Sequence, residues 1–162
     1  MVLEAAPAFT PFPRGAELAT LRGRVGDDAM GQLLARAETD MAQPIPALSA
    51  ELYLDFQRTG RREGYEDAQR QRRNMLYRLT LAEWLEGNGR FVAAIENIAW
   101  ARLEETNWAW PAHARTLDLP DRPTLDLAAA MTALDLAEMA YLVGQGLSPS
   151  LLARISSEVD RR

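Results

Sequence analysis

Cysteine is absent from the 162 residues, and histidine occurs once. Without a thiol there is no disulfide, no thiolate metal site and no cysteine nucleophile, and a single imidazole is too few for a histidine-based metal centre. No cofactor site is indicated. Lysine is missing too: all 18 basic residues are arginine, a bias that carries no functional reading by itself. Set against 23 acidic residues they leave a net charge of −5. Phosphate binding needs a concentrated positive surface, so nucleic acid is set aside as the main partner. The opening Met1-Val2-Leu3-Glu4-Ala5-Ala6-Pro7 lacks the basic start and apolar run of a leader peptide, and the compartment stays open. No apolar run approaches the roughly 20 residues that cross a bilayer, from which a soluble chain without a membrane partner is expected. Alternating runs of Val, Ile, Thr and aromatics are also lacking, which removes strands from the expected fold.

What is present is ordinary for a folded chain: 48% apolar and 25% charged residues, in a length that suits one domain with a sizeable core. Residues 1–25 hold Pro7, Pro11, Pro13, Gly15 and Gly23, a density of breakers that predicts an extended N-terminal arm. Residues 26–162 read as helices. Asp27-Asp28 precede Met30, Leu33, Leu34, Ala37 and Met41, a helix with acids at its positive end that stops before Pro44. Ser49 caps a short helix ended by Gly60. A longer one runs from about Arg62 to Glu86, and the turn Gly87-Asn88-Gly89 leads into a fourth carrying Phe91, Ile95, Ile98 and Leu103, its antiparallel neighbour. A fifth, Leu125 to Val143, is rich in Ala and is expected at the centre because small residues permit close approach. Ser148-Pro149 open a sixth. The fold class predicted is all-α, built from antiparallel helical hairpins.

Between the fourth and fifth helices lies Glu104-Glu105-Thr106-Asn107-Trp108-Ala109-Trp110-Pro111-Ala112-His113, with two of the four Trp and the only His. An indole offers a flat apolar face and one N–H, so Trp108 and Trp110 beside His113 suit the floor of a sugar site, although each Trp also suits a plug at the end of a helical core. His113 reads as a substrate hydrogen-bonder or a structural group holding the loop; proton transfer would require a positioned partner. Six Arg fall between Arg58 and Arg73. Most read as a solvated helical face with Arg62–Glu66 and Glu66–Arg70 pairs, whereas the adjacent Arg72 and Arg73 point to different sides and are candidates for an anionic ligand. Glu104 and Glu105 end a helix where its dipole disfavours acids, which calls for a compensating Arg or indole N–H. As a glycosidase pair they converge poorly, being adjacent on a helix.

Arg62, Tyr65-Glu66, Arg72-Arg73, Leu81-Ala82-Glu83, Glu86-Gly87-Asn88-Gly89-Arg90-Phe91, Ile98-Ala99-Trp100-Ala101, Glu104-Glu105-Thr106-Asn107-Trp108, Pro111-Ala112-His113 and Asp126-Leu127 together resemble the N-terminal helical region of the heparinase II/III-like polysaccharide lyases. The resemblance spans roughly Leu48 to Arg162. It implies part of an incomplete α/α toroid, followed in members of that family by a large β-sandwich. It implies β-elimination on a uronic-acid-containing polysaccharide, with an Asn or His neutralising the carboxylate and a Tyr or His moving protons. Those groups are expected beyond the point where this chain stops, so no catalytic residue is assigned within it. Ala114 stands where the family's Pro-Ala-His is usually followed by Asn. Periplasmic or extracellular placement is implied by the resemblance alone. The expected partner is an acidic polysaccharide or oligosaccharide held by Trp108, Trp110, His113, Arg72 and Arg73. The alternative is a stand-alone helical interaction module, packing on a partner, on missing domains or on a copy of itself.

Overall fold

Caps and glycines decide where the helices begin and end. The computed structural model describes residues 12–114, 117 and 122–162. Among them are seven α-helices and no strand: α1 (Gly15–Val25), α2 (Asp27–Ala42), α3 (Ala50–Thr59), α4 (Glu63–Glu86), α5 (Val92–Leu103), α6 (Leu127–Val143) and α7 (Pro149–Arg161), with a 3-10 turn at Gly144–Gly146. The all-α class is therefore observed. The Ser49 hydroxyl accepts the Leu52 N–H at 3.2 Å to start α3, and Asp126 does the same for α6 through the Ala129 N–H. Gly87, at φ 72°, ends α4 in the left-handed conformation that lacks a steric cost only for glycine.

The N-terminal arm is a correction. Residues 1–11 lie outside the described residues, but 15–25, expected to be extended, form α1. Gly15 and Gly26, with φ of 54° and 80°, bound the helix instead of preventing it, and Gly23 is carried within it. No residue of α1 is buried. It is held by Arg14, which donates to the Tyr141 carbonyl at 3.1 Å, and by Arg22, which donates to the Trp84 carbonyl at 3.2 Å. Both cations thus sit at the negative C-terminal ends of helices, α6 and α4. The Phe12 ring meets Trp84 and Tyr141 between them.

The centre of the molecule is α4, not α6. Helix α4 packs against α2, α3, α5 and α6, while α7 closes the far side against α5 and α6. One core unites Met75, Leu76 and Leu79 of α4 with Ile95 and Ile98 of α5, Leu136 and Met139 of α6, and Leu151 and Ile155 of α7. The short link from α4 to α5 makes them an antiparallel hairpin. Its turn is tied by Glu83, whose Oε1 accepts the Gly89 N–H at 2.8 Å and whose Oε2 accepts that of Phe91 at 3.1 Å. Helix α6 lies to one side, with Leu127 and Leu134 exposed.

A second correction concerns length. The helical segment Leu127–Gly146 is long and apolar enough to cross a membrane by length and composition. Reading runs of apolar residues misses it because Asp135 and Glu138 interrupt the run, while the helix continues through them. A smaller cluster of Tyr53, Tyr65, Ala109 and Ala114 lies under the tryptophan-bearing loop and fixes it to α3 and α4.

Candidate functional site

The loop after α5 is built from the inside out, beginning with a buried arginine. Arg102, 2% exposed, donates from Nη1 to Glu105 at 3.1 Å and from Nη2 to the Thr132 hydroxyl at 2.6 Å. Glu105 receives a second guanidinium, Arg72 Nη1 at 3.3 Å. Burial pushes the Glu105 carboxyl up from its ordinary range, and the charges of Arg102 and Arg72 pull against that rise. The acid in an unfavourable position at a helix end is thus compensated by arginines, as its placement requires. Glu104 is exposed, so the two adjacent acids do not converge.

Trp108 turns inward and is 2% exposed. Its indole donates to the Arg102 carbonyl at 3.0 Å, its own carbonyl accepts from Gln69 at 3.1 Å, and the Arg162 guanidinium lies over its ring at 4.5 Å. It is a core plug and has no free face for a sugar, which corrects its assignment to the site. Trp110 is half-buried and faces a cleft of about 300 Å³ between α4 and α6. Other walls of that cleft are Glu66, Gln69, Arg70 and Arg73 from α4, Arg102 from α5, and Ala128, Met131, Thr132 and Asp135 from α6.

Arg72 and Arg73 do point to different sides. Arg72 donates to the carbonyls of Pro46 at 2.7 Å and Ala101 at 3.1 Å besides pairing Glu105, and it faces a second recess of about 320 Å³ near Tyr53 and Tyr65. That leaves it a structural clamp away from Trp110, the second departure from the expected set. Arg73 lines the cleft and grips Asp135 with two hydrogen bonds, of 2.8 and 3.1 Å. The Tyr77 hydroxyl donates to Asp135 at 2.8 Å and stands 3.1 Å from Glu138. Burial, followed by the Asp135 hydrogen bond, pushes the Tyr77 pKa up to about 12. Arg70 pairs with Asp67 at 2.7 Å rather than with Glu66 and is largely exposed.

His113 lies outside the cleft walls, its ring centroid 5.6 Å from that of Trp110. Its Nδ1 is 2.7 Å from Asp126 Oδ2, which also accepts the Trp110 N–H at 3.1 Å while the other oxygen caps α6. One carboxylate therefore joins the loop to the start of α6 and orients Trp110 through its backbone and its neighbour. The geometry assigns His113 to holding the loop.

Among the described residues, two buried atoms beside the cleft have no hydrogen-bond partner: Arg102 Nε, a donor, and Glu66 Oε1, an acceptor that stands 3.6 Å from Arg62 Nε. Arg102, Thr132 and Asp135 were absent from the expected set. The signal for Thr132 and Asp135 lay in α6, where Thr132, Asp135 and Glu138 are the polar residues in a helix otherwise Ala, Leu, Met, Tyr and Val; polar groups three apart on an apolar helix need partners on a neighbour, here Arg102 of α5 and Arg73 of α4. Among the described residues no group of three His or carboxylate side chains is arranged to hold a metal. No protein-family model matches the chain, and no curated protein matches it either.

Proposed function

We propose that the chain is the substrate-holding helical part of an α/α-toroid polysaccharide lyase of the heparinase II/III-like kind, and that the α4–α6 cleft holds a unit of an acidic polysaccharide. The observation that carries this reading is the cleft itself. Trp110 and Arg102 both line it, and among the described residues the buried Arg102 Nε–H has no hydrogen-bond partner. A buried donor left unsatisfied costs about 1–3 kcal/mol, which a ligand carboxylate or hydroxyl would recover. A sugar ring has apolar faces for Trp110 and a polar edge for Gln69, Thr132 and Glu66. Arg70, on the rim and bound only to a neighbouring surface acid, can exchange that partner for a uronate at little expense, because exposed pairs contribute about 0–1 kcal/mol.

In this reading the cleft serves binding and the elimination chemistry lies elsewhere. Asp135 is held by Arg73 and Tyr77, and the Tyr77 hydroxyl, its pKa pushed up to about 12, is not poised to exchange its proton near neutrality. The test pairs two readings on the whole chain: ultraviolet absorbance of unsaturated uronate and tryptophan fluorescence, against alginate, heparan sulfate, chondroitin and hyaluronan. The expected result is a saturable fluorescence change without turnover, abolished in Trp110→Ala and weakened in Arg70→Ala. No change with any of the four polysaccharides would sink the binding reading. Turnover would show that the proton-moving groups are in this chain after all.

A further inference from the structure

Most polar groups around the α4–α6 cleft are already engaged within the protein. The Gln69 amide donates to the Trp108 carbonyl, and the Thr132 hydroxyl donates to the Ala128 carbonyl while accepting from Arg102. Both oxygens of Asp135 accept from Arg73, and one of them also accepts from Tyr77. Among the described residues, the buried side-chain atoms of the cleft that remain open are Arg102 Nε, a donor, and Glu66 Oε1, an acceptor. The charges are engaged in the same way. Arg73 is opposed by Asp135, Arg70 by Asp67 and Arg102 by Glu105. Glu66 adds an acid to the lining, its side chain 13% exposed and 3.6 Å from Arg62.

We propose, resting on the saccharide reading above, that the unit seated in the cleft is an uncharged sugar ring with free hydroxyls, and that the neighbouring uronate of the polymer lies outside, beside Arg70. A hydroxyl both donates and accepts, so the hydroxyls of one ring can serve both open atoms, donating to Glu66 and accepting from Arg102. A carboxylate only accepts. It would serve Arg102 but leave Glu66 Oε1 without a donor, and it would set two like charges against each other in a partly buried space. The cleft thereby selects by rejection as well as by fit. Its volume of about 300 Å³ is at the small end for ligand sites and suits one ring, with Trp110 and Met131 for the apolar faces. Arg70 differs from the other two arginines of the lining: its side chain is 63% exposed and its partner is itself a surface acid, so a carboxylate reaches it from solvent. The ligand class that follows is a polymer in which uronates alternate with neutral sugars, in contrast to one made of uronates throughout.

Titration of tryptophan fluorescence on the whole chain tests this with three polymers. Hyaluronan alternates uronate with N-acetylglucosamine, alginate is made of uronates only, and alginate with its carboxyls reduced to hydroxymethyl groups is neutral. Hyaluronan and reduced alginate are expected to bind about tenfold or more tighter than alginate. Glu66→Gln keeps an acceptor oxygen and removes the charge, so alginate should gain affinity toward the level of hyaluronan. Arg70→Ala should weaken hyaluronan about threefold, and reduced alginate, which has no carboxylate, less. Alginate that binds as tightly as its reduced form, with the signal lost in Trp110→Ala, overturns the neutral-unit assignment and leaves the saccharide site standing. An alginate affinity unmoved by Glu66→Gln overturns the assignment as well. Silence with all three polymers removes the saccharide premise and the assignment with it.

Discussion

Two tryptophans two positions apart in the same loop have opposite duties, and single substitutions separate them. Trp108→Ala removes a buried ring together with its hydrogen bond to the Arg102 carbonyl, and should cost about 3–5 kcal/mol in urea unfolding. Trp110→Ala removes a half-buried ring at the cleft and should cost less than about half of that, with its main effect on the fluorescence response to polysaccharide. Tyrosine ionisation is a second test at this scale. Burial, reinforced by the nearby charge of Glu105, holds the Tyr65 hydroxyl far above its ordinary value of 10.0, and Tyr77 is pushed up to about 12. The unfolded chain loses these protons first as pH rises. Their contribution to stability is therefore complete below about 10 and falls as pH climbs toward the folded values. Spectrophotometric titration of the folded chain to pH 11 should leave these two of the four tyrosines un-ionised, and ionisation of all four before unfolding would contradict the buried placement.

At the scale of elements, the end of α7 is clasped by one carboxylate. Glu158 accepts from Arg154 at 3.1 Å and from Arg162 at 3.1 Å, and it also pairs with Arg161. Burial alone would raise its pKa, but the hydrogen bonds from Arg161 and Arg162 outweigh it and hold the carboxyl below its ordinary 4.5. The sign follows directly: a depressed carboxylate stabilises above the unfolded value, and that stability is lost as pH falls from about 4.5 through the folded value. Glu158→Gln should be less stable than the native chain at pH 7 by about 1 kcal/mol, and the difference should vanish in the acid limb of the unfolding curve. The contact continues into the site. Arg162 donates to the Glu105 carbonyl at 2.7 Å and lies over Trp108, so Arg162→Ala should also shift the near-ultraviolet dichroism of the tryptophans.

Across the whole molecule, stability is distributed unevenly. Helices α2, α4, α5, α6 and α7 share the main core and α3 joins the smaller cluster, whereas α1 has no buried residue and is fastened by Phe12, Arg14 and Arg22. Removing residues 1–25 should leave a single cooperative transition, with a loss of about 1–3 kcal/mol, because among the described residues α1 and its lead-in are held mainly by two charge-assisted hydrogen bonds, two ring contacts of Phe12 and the stacking of Arg14 on Tyr141. A collapse of the helical signal on that removal would show instead that α1 belongs to the core.

The helices and most of their ends were legible in the sequence because they rest on local chemistry. Ser49, Gly60, Gly87 and Pro149 act within a turn of where they stand, and the apolar stripes of α4 and α5 repeat at helical spacing. The need for a counter-charge at Glu105 was legible for the same reason. Tertiary structure alone decided the rest. Gly15 and Gly26 bound a helix instead of breaking one, α4 and not α6 became the hub, and Trp108 turned inward while Trp110 turned to the cleft. Each of these depends on which face meets which neighbour, a choice settled by contacts between residues far apart in the chain. The pairing of Arg73 on α4 with Asp135 on α6, 62 positions away, is set by the packing of the two helices and not by the residues around either one.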